Sequence, residues 1–130
     1  MATFHVQMTA KKQHPLSILE EQLCISRNYE FCSKAEYSLA GSTVLLLTFE
    51  QYFCRAGSTI SLSVLLTESG DQQTADLIAT GGGEGLSWSG GACRSFVKEA
   101  AEILASCGFA DTNPEPEEKL HKKIFNYFFD

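Results

Sequence analysis

The sequence predicts an α+β domain in which an antiparallel sheet of four to five strands carries helices on one face. Between residues 43 and 80, stretches in which every second residue is apolar follow one another, separated by short turns that contain glycine. Short turns of this kind are typical of hairpins, so neighbouring strands should run antiparallel. Two segments in which apolar residues recur at helical spacing flank this block.

The chain begins with a predicted strand and a predicted helix. Residues 4–8 alternate between apolar and polar side chains, which indicates a short strand with one buried face. The helix begins either at Pro15, which suits a first helical position, or at a capping box over residues 17–20. Its leucines then fall on one face, and we expect it to end near Asn28.

Four further strands follow the first helix. Residues 29–39 predict a modest second strand, whereas residues 43–54 predict a strong third strand that is apolar on both faces near its start. The third strand is therefore central, or something covers its back. Residues 59–67 alternate most cleanly, so the register of this fourth strand is well specified. Residues 74–80 form the fifth strand.

The second predicted helix is the clearest one. Apolar residues recur at helical spacing over residues 96–104, and Gly108 follows where a left-handed cap belongs, with Phe109 as its hydrophobic contact. We therefore expect one domain over residues 1–110. Residues 111–118, which contain Pro114 and Pro116, read as a linker.

Residues 119–130 predict a C-terminal amphipathic helix. A helix of about 12 residues is marginal alone in water, so this one should dock on another surface. Two surfaces remain open at this point, the back of its own sheet and a neighbouring subunit. The candidate interaction residues are Leu120, Ile124, Phe125, Tyr127 and Phe128.

The element order β-α-β-β-β-β-α is similar to that of TATA-binding-protein halves, and more loosely to the helix-grip folds that hold apolar ligands. Three motifs also resemble an uncharacterised family of small bacterial domains over about residues 3–107. They are Thr48-Phe49-Glu50-Gln51-Tyr52, Ser69-Gly70-Asp71 and Ala79-Thr80-Gly81-Gly82-Gly83. The resemblance implies this fold and a bacterial cytoplasmic setting, and it transfers no catalytic residue.

Composition disfavours several classes of function. The net charge is −6, and the chain lacks the basic stripe that binding to nucleic acid or to an anionic membrane requires. The five cysteines and three histidines have no zinc-ligand spacing, so we expect no metal and no cofactor. No apolar run approaches the ~20 residues that span a bilayer, which favours a soluble cytoplasmic protein.

The glycine-rich segment of residues 81–91 is the best candidate for binding a ligand. A glycine turn before a helix can hold an anion with its free backbone N–H groups. The segment matches neither a dinucleotide fingerprint nor a phosphate-binding loop, so a plain strand-to-helix connection is the alternative. The candidate ligand-binding residues are Gly81, Gly82, Gly83, Trp88 and Arg94, the last expected in the first helical turn.

Three functions follow, in order of preference. The first is a non-catalytic module that associates with itself or with another protein through the exposed sheet face or the aromatic tail. The second is a small-molecule-binding module with a pocket beneath residues 81–91. The third is an enzyme that uses Cys93, which the sequence places near a helix N-terminus, where the dipole lowers the pKa of a thiol.

Overall fold

The computed structural model describes residues 2–54, 57–81 and 87–112, and of residues 87–89 it describes the backbone alone. These residues form six strands and two helices. In chain order they are β1 (Ala2–Lys11), α1 (Leu16–Cys24), β2 (Glu30–Leu39), β3 (Ser42–Phe53), β4 (Ser58–Ser69), β5 (Gln72–Gly81), α2 (Ser87–Ser106) and β6 (Ala110–Asp111).

The strands form one antiparallel sheet in the order β2-β3-β4-β5-β1-β6. The predicted fold class is therefore confirmed. Strands β2 to β5 follow one another as hairpins, and β1 then pairs with β5 over its whole length. This pairing brings the N-terminal strand beside the last long strand, where the two-residue strand β6 extends the sheet.

Both helices pack on the same face of the sheet and bury a single core. Along β3, β4 and β5, buried residues on the inner side alternate with half-buried or exposed residues on the outer side, as the sequence predicts. Each fully buried aliphatic or aromatic side chain contributes about 1.5–3 kcal/mol relative to an exposed one. The largest of these side chains are Leu19, Leu23, Leu45, Leu47, Phe49, Ile60, Leu62, Leu66, Leu77, Phe96 and Leu104.

Two-residue turns connect β2 to β3 and β4 to β5. Ala40 and Gly41 have φ values of +48° and +83°, and positive φ at both central positions matches the right-handed twist of a hairpin. Gly70 opens the second turn with φ of +61°, a conformation that glycine adopts without the steric penalty of a Cβ atom.

Helix α1 differs from the prediction at both ends. Pro15 has an extended backbone and is the residue before the first helical one, and no side chain caps this end, so the capping box at residues 17–20 does not form. The helix ends at Cys24 rather than near Asn28. Asn28 lies beyond it, where its side chain donates a 2.5 Å hydrogen bond to Glu99 of α2.

Helix α2 ends as predicted and begins earlier than predicted. Gly108, at φ +100°, donates its N–H to the carbonyl of Ala105, and Phe109 donates to the carbonyl of Leu104. These two bonds form a Schellman motif. At the other end, the helix starts at Ser87, inside the glycine-rich segment.

Candidate functional site

The structure divides the glycine-rich segment among different environments. Gly81 is buried at the end of β5 against Ile60, and residues 90 and 91 are exposed glycines within α2. Trp88 lies in the first turn of α2, and its side chain is outside the described part of the structure, as are Gly82 and Gly83. The anion cradle predicted for these residues stays a prediction.

Arg94 contacts the first strand of the sheet. It is the eighth residue of α2, so its expected place in the first helical turn is wrong. Its guanidinium sits over the ring of Phe4 on β1, 5.4 Å from the ring centroid, in a cation–π contact. This contact holds the middle of α2 to the N-terminal strand.

Cys93 lies two turns into α2 rather than at its N-terminus. The side chain is fully buried, and burial raises the pKa of the thiol. Its Sγ is 3.7 Å from the carbonyl oxygen of Ala2. Because the effect of a helix dipole on a thiol is confined to the first turn, Cys93 lacks the activation that the sequence suggested. Within the described ranges, no three His, Cys, Asp or Glu residues form a group that could hold a metal ion.

The face of the sheet opposite the helices is called the open face here. Its centre is three rows of paired residues across β2, β3, β4, β5 and β1. The rows are Ser33–Thr48–Ser63–Ile78–His5, Ala35–Leu46–Leu65–Asp76–Gln7 and Tyr37–Val44–Thr67–Thr74–Thr9.

Large apolar side chains gather on this open face. Tyr37 and Ile78 are 52% and 39% exposed, and Leu39 at the end of β2 is 62% exposed. Val44, Leu46 and Leu65 lie between them and are half-buried. We call these six residues the open-face patch.

The open face carries little charge. Apart from Tyr37, the ionisable side chains in its three central rows are His5 and Asp76, which contact each other at 2.9 Å. Glu30 and Glu50 oppose each other at one end of the face, where they line a polar hollow of about 410 Å³.

A second surface feature lies on the helix side of the sheet. Between α2 and β1 runs an apolar groove of about 390 Å³, which we call the α2–β1 groove. Its lining residues are Phe4, Val6 and Met8 from β1, Val97, Lys98, Ala101, Glu102 and Ala105 from α2, and Phe109 and Asp111 beyond it. Gly81 and Arg94 do not line it, so the groove is not assembled from these two predicted ligand-binding residues.

The sequence predicted an exposed sheet face as a contact surface without naming its residues, and it missed the α2–β1 groove. The groove depends on β1 pairing with β5, which chain order does not reveal. The open-face patch had a partial signal in the apolar residues on both sides of β3, and the exposed side chains of β2 complete it. The predicted interaction residues of the tail, 119–130, lie outside the described residues.

These observations define a small two-layer α+β domain with one sheet face that no described helix covers. The chain belongs to a family of unknown function, DUF6054, whose model matches residues 1–108. The resemblance to an uncharacterised domain family is thus confirmed. A search of curated proteins gave no match.

Several solved protein structures are distantly similar to this chain. The Mll3558 protein from Rhizobium loti is 16% identical with a TM-score of 0.41, and the match covers 82% of this chain and 96% of that one. LpqN of Mycobacterium tuberculosis, described as involved in cell envelope biogenesis, is 10% identical with a TM-score of 0.39 over 85% of this chain and 62% of its own. The TTHA0849 protein from Thermus thermophilus is 14% identical with a TM-score of 0.26 over 81% and 90% of the two chains.

In the described ranges, neither α1 nor α2 combines the length and the apolar character needed to cross a bilayer.

Proposed function

We propose that this protein is a non-catalytic module that self-associates, with the open face of its sheet as the contact surface. The observation that carries the proposal is the open-face patch, in which Tyr37, Leu39 and Ile78 are exposed on a face that no described helix covers. The occupant we infer is a second copy of the chain, with the two faces packed against each other as in a β-sandwich.

The dimensions of the face support a stable contact. Five long strands at about 4.8 Å spacing and about ten residues at about 3.3 Å rise give a face of roughly 800 Å². A standard protein–protein interface buries about 800 Å² on each partner. The open face is therefore large enough for a specific dimer.

The charge distribution supports a second copy as the partner. Each chain carries a net charge of −6, so two copies repel each other in most orientations. The central rows of the open face hold one paired carboxylate, on Asp76, beside His5. Contact through this face brings two copies together where their like charges are sparse, and it removes the open-face patch from water.

A charge placed in the open-face patch tests the proposal. Leu46→Lys puts an ammonium group at the centre of the patch, between Ala35 and Leu65, where burial against a second copy would leave it unpaired. We expect sedimentation velocity to show a concentration-dependent dimer for the natural chain and a monomer for Leu46→Lys. Because a buried unpaired charge costs several kcal/mol, the dissociation constant should rise by roughly a hundredfold or more.

Ser95→Lys is the matched control. It adds the same charge at an exposed position of α2, on the side of the sheet opposite the open face. This variant should remain dimeric. A natural chain that stays monomeric at every concentration, or a Leu46→Lys variant that dimerises like Ser95→Lys, would contradict the proposal. Binding of a different protein to the patch would also contradict it.

The setting we propose is the bacterial cytoplasm. All five cysteines are free thiols, and Cys24, Cys32 and Cys54 are exposed. Exposed free thiols persist in a reducing compartment and become oxidised outside it. This supports the setting that the family resemblance implies.

A further inference from the structure

We propose that the C-terminal segment, residues 119–130, docks in the α2–β1 groove of its own chain. The groove is an apolar channel on the surface between α2 and β1. The segment carries the apolar stripe of Leu120, Ile124, Tyr127 and Phe128 at helical spacing. Docking pairs these two apolar surfaces with each other, and it leaves the open face free for a second copy.

The point at which the described chain ends favours this occupant. Asp111 of β6 lines the groove itself. The next residue, Thr112, donates from both its N–H and its hydroxyl to the carbonyl of Gln7, at 3.0 Å in each case. Since β6 pairs antiparallel with β1, with Ala110 opposite Thr9 and Asp111 opposite Met8, the chain runs from Thr112 toward the Phe4 end of β1. This direction is parallel to the groove, so the segment that follows Thr112 starts beside it.

The groove and the stripe also match in length. The helical wall runs from Val97 through Ala101 to Ala105, eight residues or about 12 Å. The strand wall from Phe4 to Met8 covers about 13 Å. From Leu120 to Phe128 is again eight residues, about 12 Å in a helix. The alanines of the wall are small, which lets another helix approach closely.

The open-face patch is a poorer site for the same segment. Its centre at β3 and β4 lies three to four strand spacings from β6, roughly 14–19 Å away and on the opposite face of the sheet. Residues 113–118 span at most about 20 Å when fully extended. A chain that must also turn around the sheet edge uses all of this reach, whereas the groove begins beside Thr112.

Hydrogen exchange of the 130-residue chain tests the proposal. We expect the amides of residues 119–130 to be protected in the natural chain, and the protection to be independent of protein concentration because docking is within one chain. Ala101→Lys, which fills the half-buried middle of the groove with a charged side chain, should speed exchange in residues 119–130 by roughly tenfold or more. Protection of the β4 and β5 amides in the same sample reports whether the domain remains folded.

Two further variants keep the test decisive. Ala105→Lys places the same charge at an exposed position of the groove and should act like Ala101→Lys even if the latter unfolds the domain. Ser95→Lys, exposed on α2 and outside the groove lining, should leave the exchange unchanged. Unprotected amides in the natural chain, equal protection in all variants, or protection that disappears on dilution would overturn docking within the chain. A small molecule that native mass spectrometry detects on the natural chain and not on Ala101→Lys would overturn it as well.

Discussion

Among the single residues, the cysteines differ most clearly in the exposure of their side chains. Cys24, Cys32 and Cys54 are exposed, whereas Cys93 and Cys107 are buried. From sequence position, Cys93 was the candidate nucleophile of the least preferred of the three functions, because it was placed near a helix start. Burial in the core reverses that expectation, since a thiolate is disfavoured where it cannot be solvated.

Alkylation at neutral pH tests this assignment. Iodoacetamide should modify Cys24, Cys32 and Cys54 first, and Cys93 should react only on the timescale of unfolding, because its side chain is fully buried. Mass spectrometry of tryptic peptides at timed intervals measures the order. The exposed thiols serve as internal controls, and Cys93 reacting as fast as they do would restore it as a candidate nucleophile.

The described glycines of residues 81–91 also differ in the space that surrounds them. A Cβ atom added at Gly81 would overlap the Cδ1 of Ile60 and lie 3.3 Å from its Cγ1, whereas one added at Gly91 would meet open space. Gly81→Ala should therefore lower the free energy of unfolding by about 1–3 kcal/mol through overpacking.

Gly91→Ala is the matched change with the opposite expected sign. Inside a helix, replacing glycine by alanine stabilises by roughly 0.5–1 kcal/mol because the unfolded chain loses less freedom on folding. Urea unfolding followed by far-UV circular dichroism measures both variants. Equal effects of the two substitutions would contradict the different surroundings of Gly81 and Gly91.

At the scale of elements, Tyr29 joins α1 to the rest of the core. Its ring contacts Phe49 of β3 and Phe96 of α2, at centroid distances of 5.0 and 5.3 Å. Its hydroxyl donates a 2.5 Å hydrogen bond to the carbonyl of Leu23, in the last turn of α1. One buried side chain therefore satisfies an orphan carbonyl at the end of a helix and fills the layer between helix and sheet.

Tyr29→Phe should destabilise the fold by about 1–3 kcal/mol at neutral pH, because the buried carbonyl of Leu23 loses its donor. Tyr52→Phe, at an exposed position of β3, removes the same hydroxyl and should change the free energy of unfolding by less than about 0.5 kcal/mol. Urea unfolding of both variants measures the difference. Equal values for the two would show that the bond to Leu23 contributes nothing.

Tyr29 also predicts a dependence on pH. Burial, together with the nearby charge of Glu99, raises the pKa of Tyr29 above the ordinary value of 10.0. A raised pKa in the folded state means that this contribution to stability is complete below about pH 10 and is lost as the pH rises further. Above pH 10, the natural chain should lose stability more steeply than Tyr29→Phe. Parallel pH profiles for the two proteins would contradict this.

The elements that the sequence predicts well are those with one buried and one exposed face. In β4 and β5 the inward residues are apolar and fully buried, so the period of two is visible in the sequence. Strand β2 is exposed on both sides along its length and has no such contrast, which is why its pattern is weak. Strand β6, with two residues, is too short for any period.

At the start of α2, the low helix propensity of glycine leads to a wrong prediction. Glycine disfavours helix by about 1 kcal/mol per residue relative to alanine, so residues 90 and 91 read as a loop. In the structure they belong to a helix whose following residues Ala92, Cys93 and Phe96 are buried in the core. Burial of these side chains outweighs the propensity of two glycines, and sequence pattern alone does not contain that tertiary contribution.

At the scale of the whole molecule, the sheet separates two apolar surfaces. The α2–β1 groove lies on the helix side, and the open-face patch lies on the opposite side. We assign the groove to the C-terminal segment of the same chain and the patch to a second copy. Because the surfaces are on different faces, the two assignments can be tested and can fail separately.

The most direct test of self-association is the distance between the open faces of two copies. A nitroxide attached at Ser63→Cys, at the centre of the face, is introduced after the exposed Cys24, Cys32 and Cys54 are replaced by serine. Because packed sheets lie about 10 Å apart, the labels of two facing copies should broaden each other's electron paramagnetic resonance spectra as the dimer forms. A label at Ser95→Cys on α2 should remain sharp at the same concentration. Sharp spectra at Ser63→Cys throughout the concentration range, or broadening at Ser95→Cys instead, would contradict self-association through the open face.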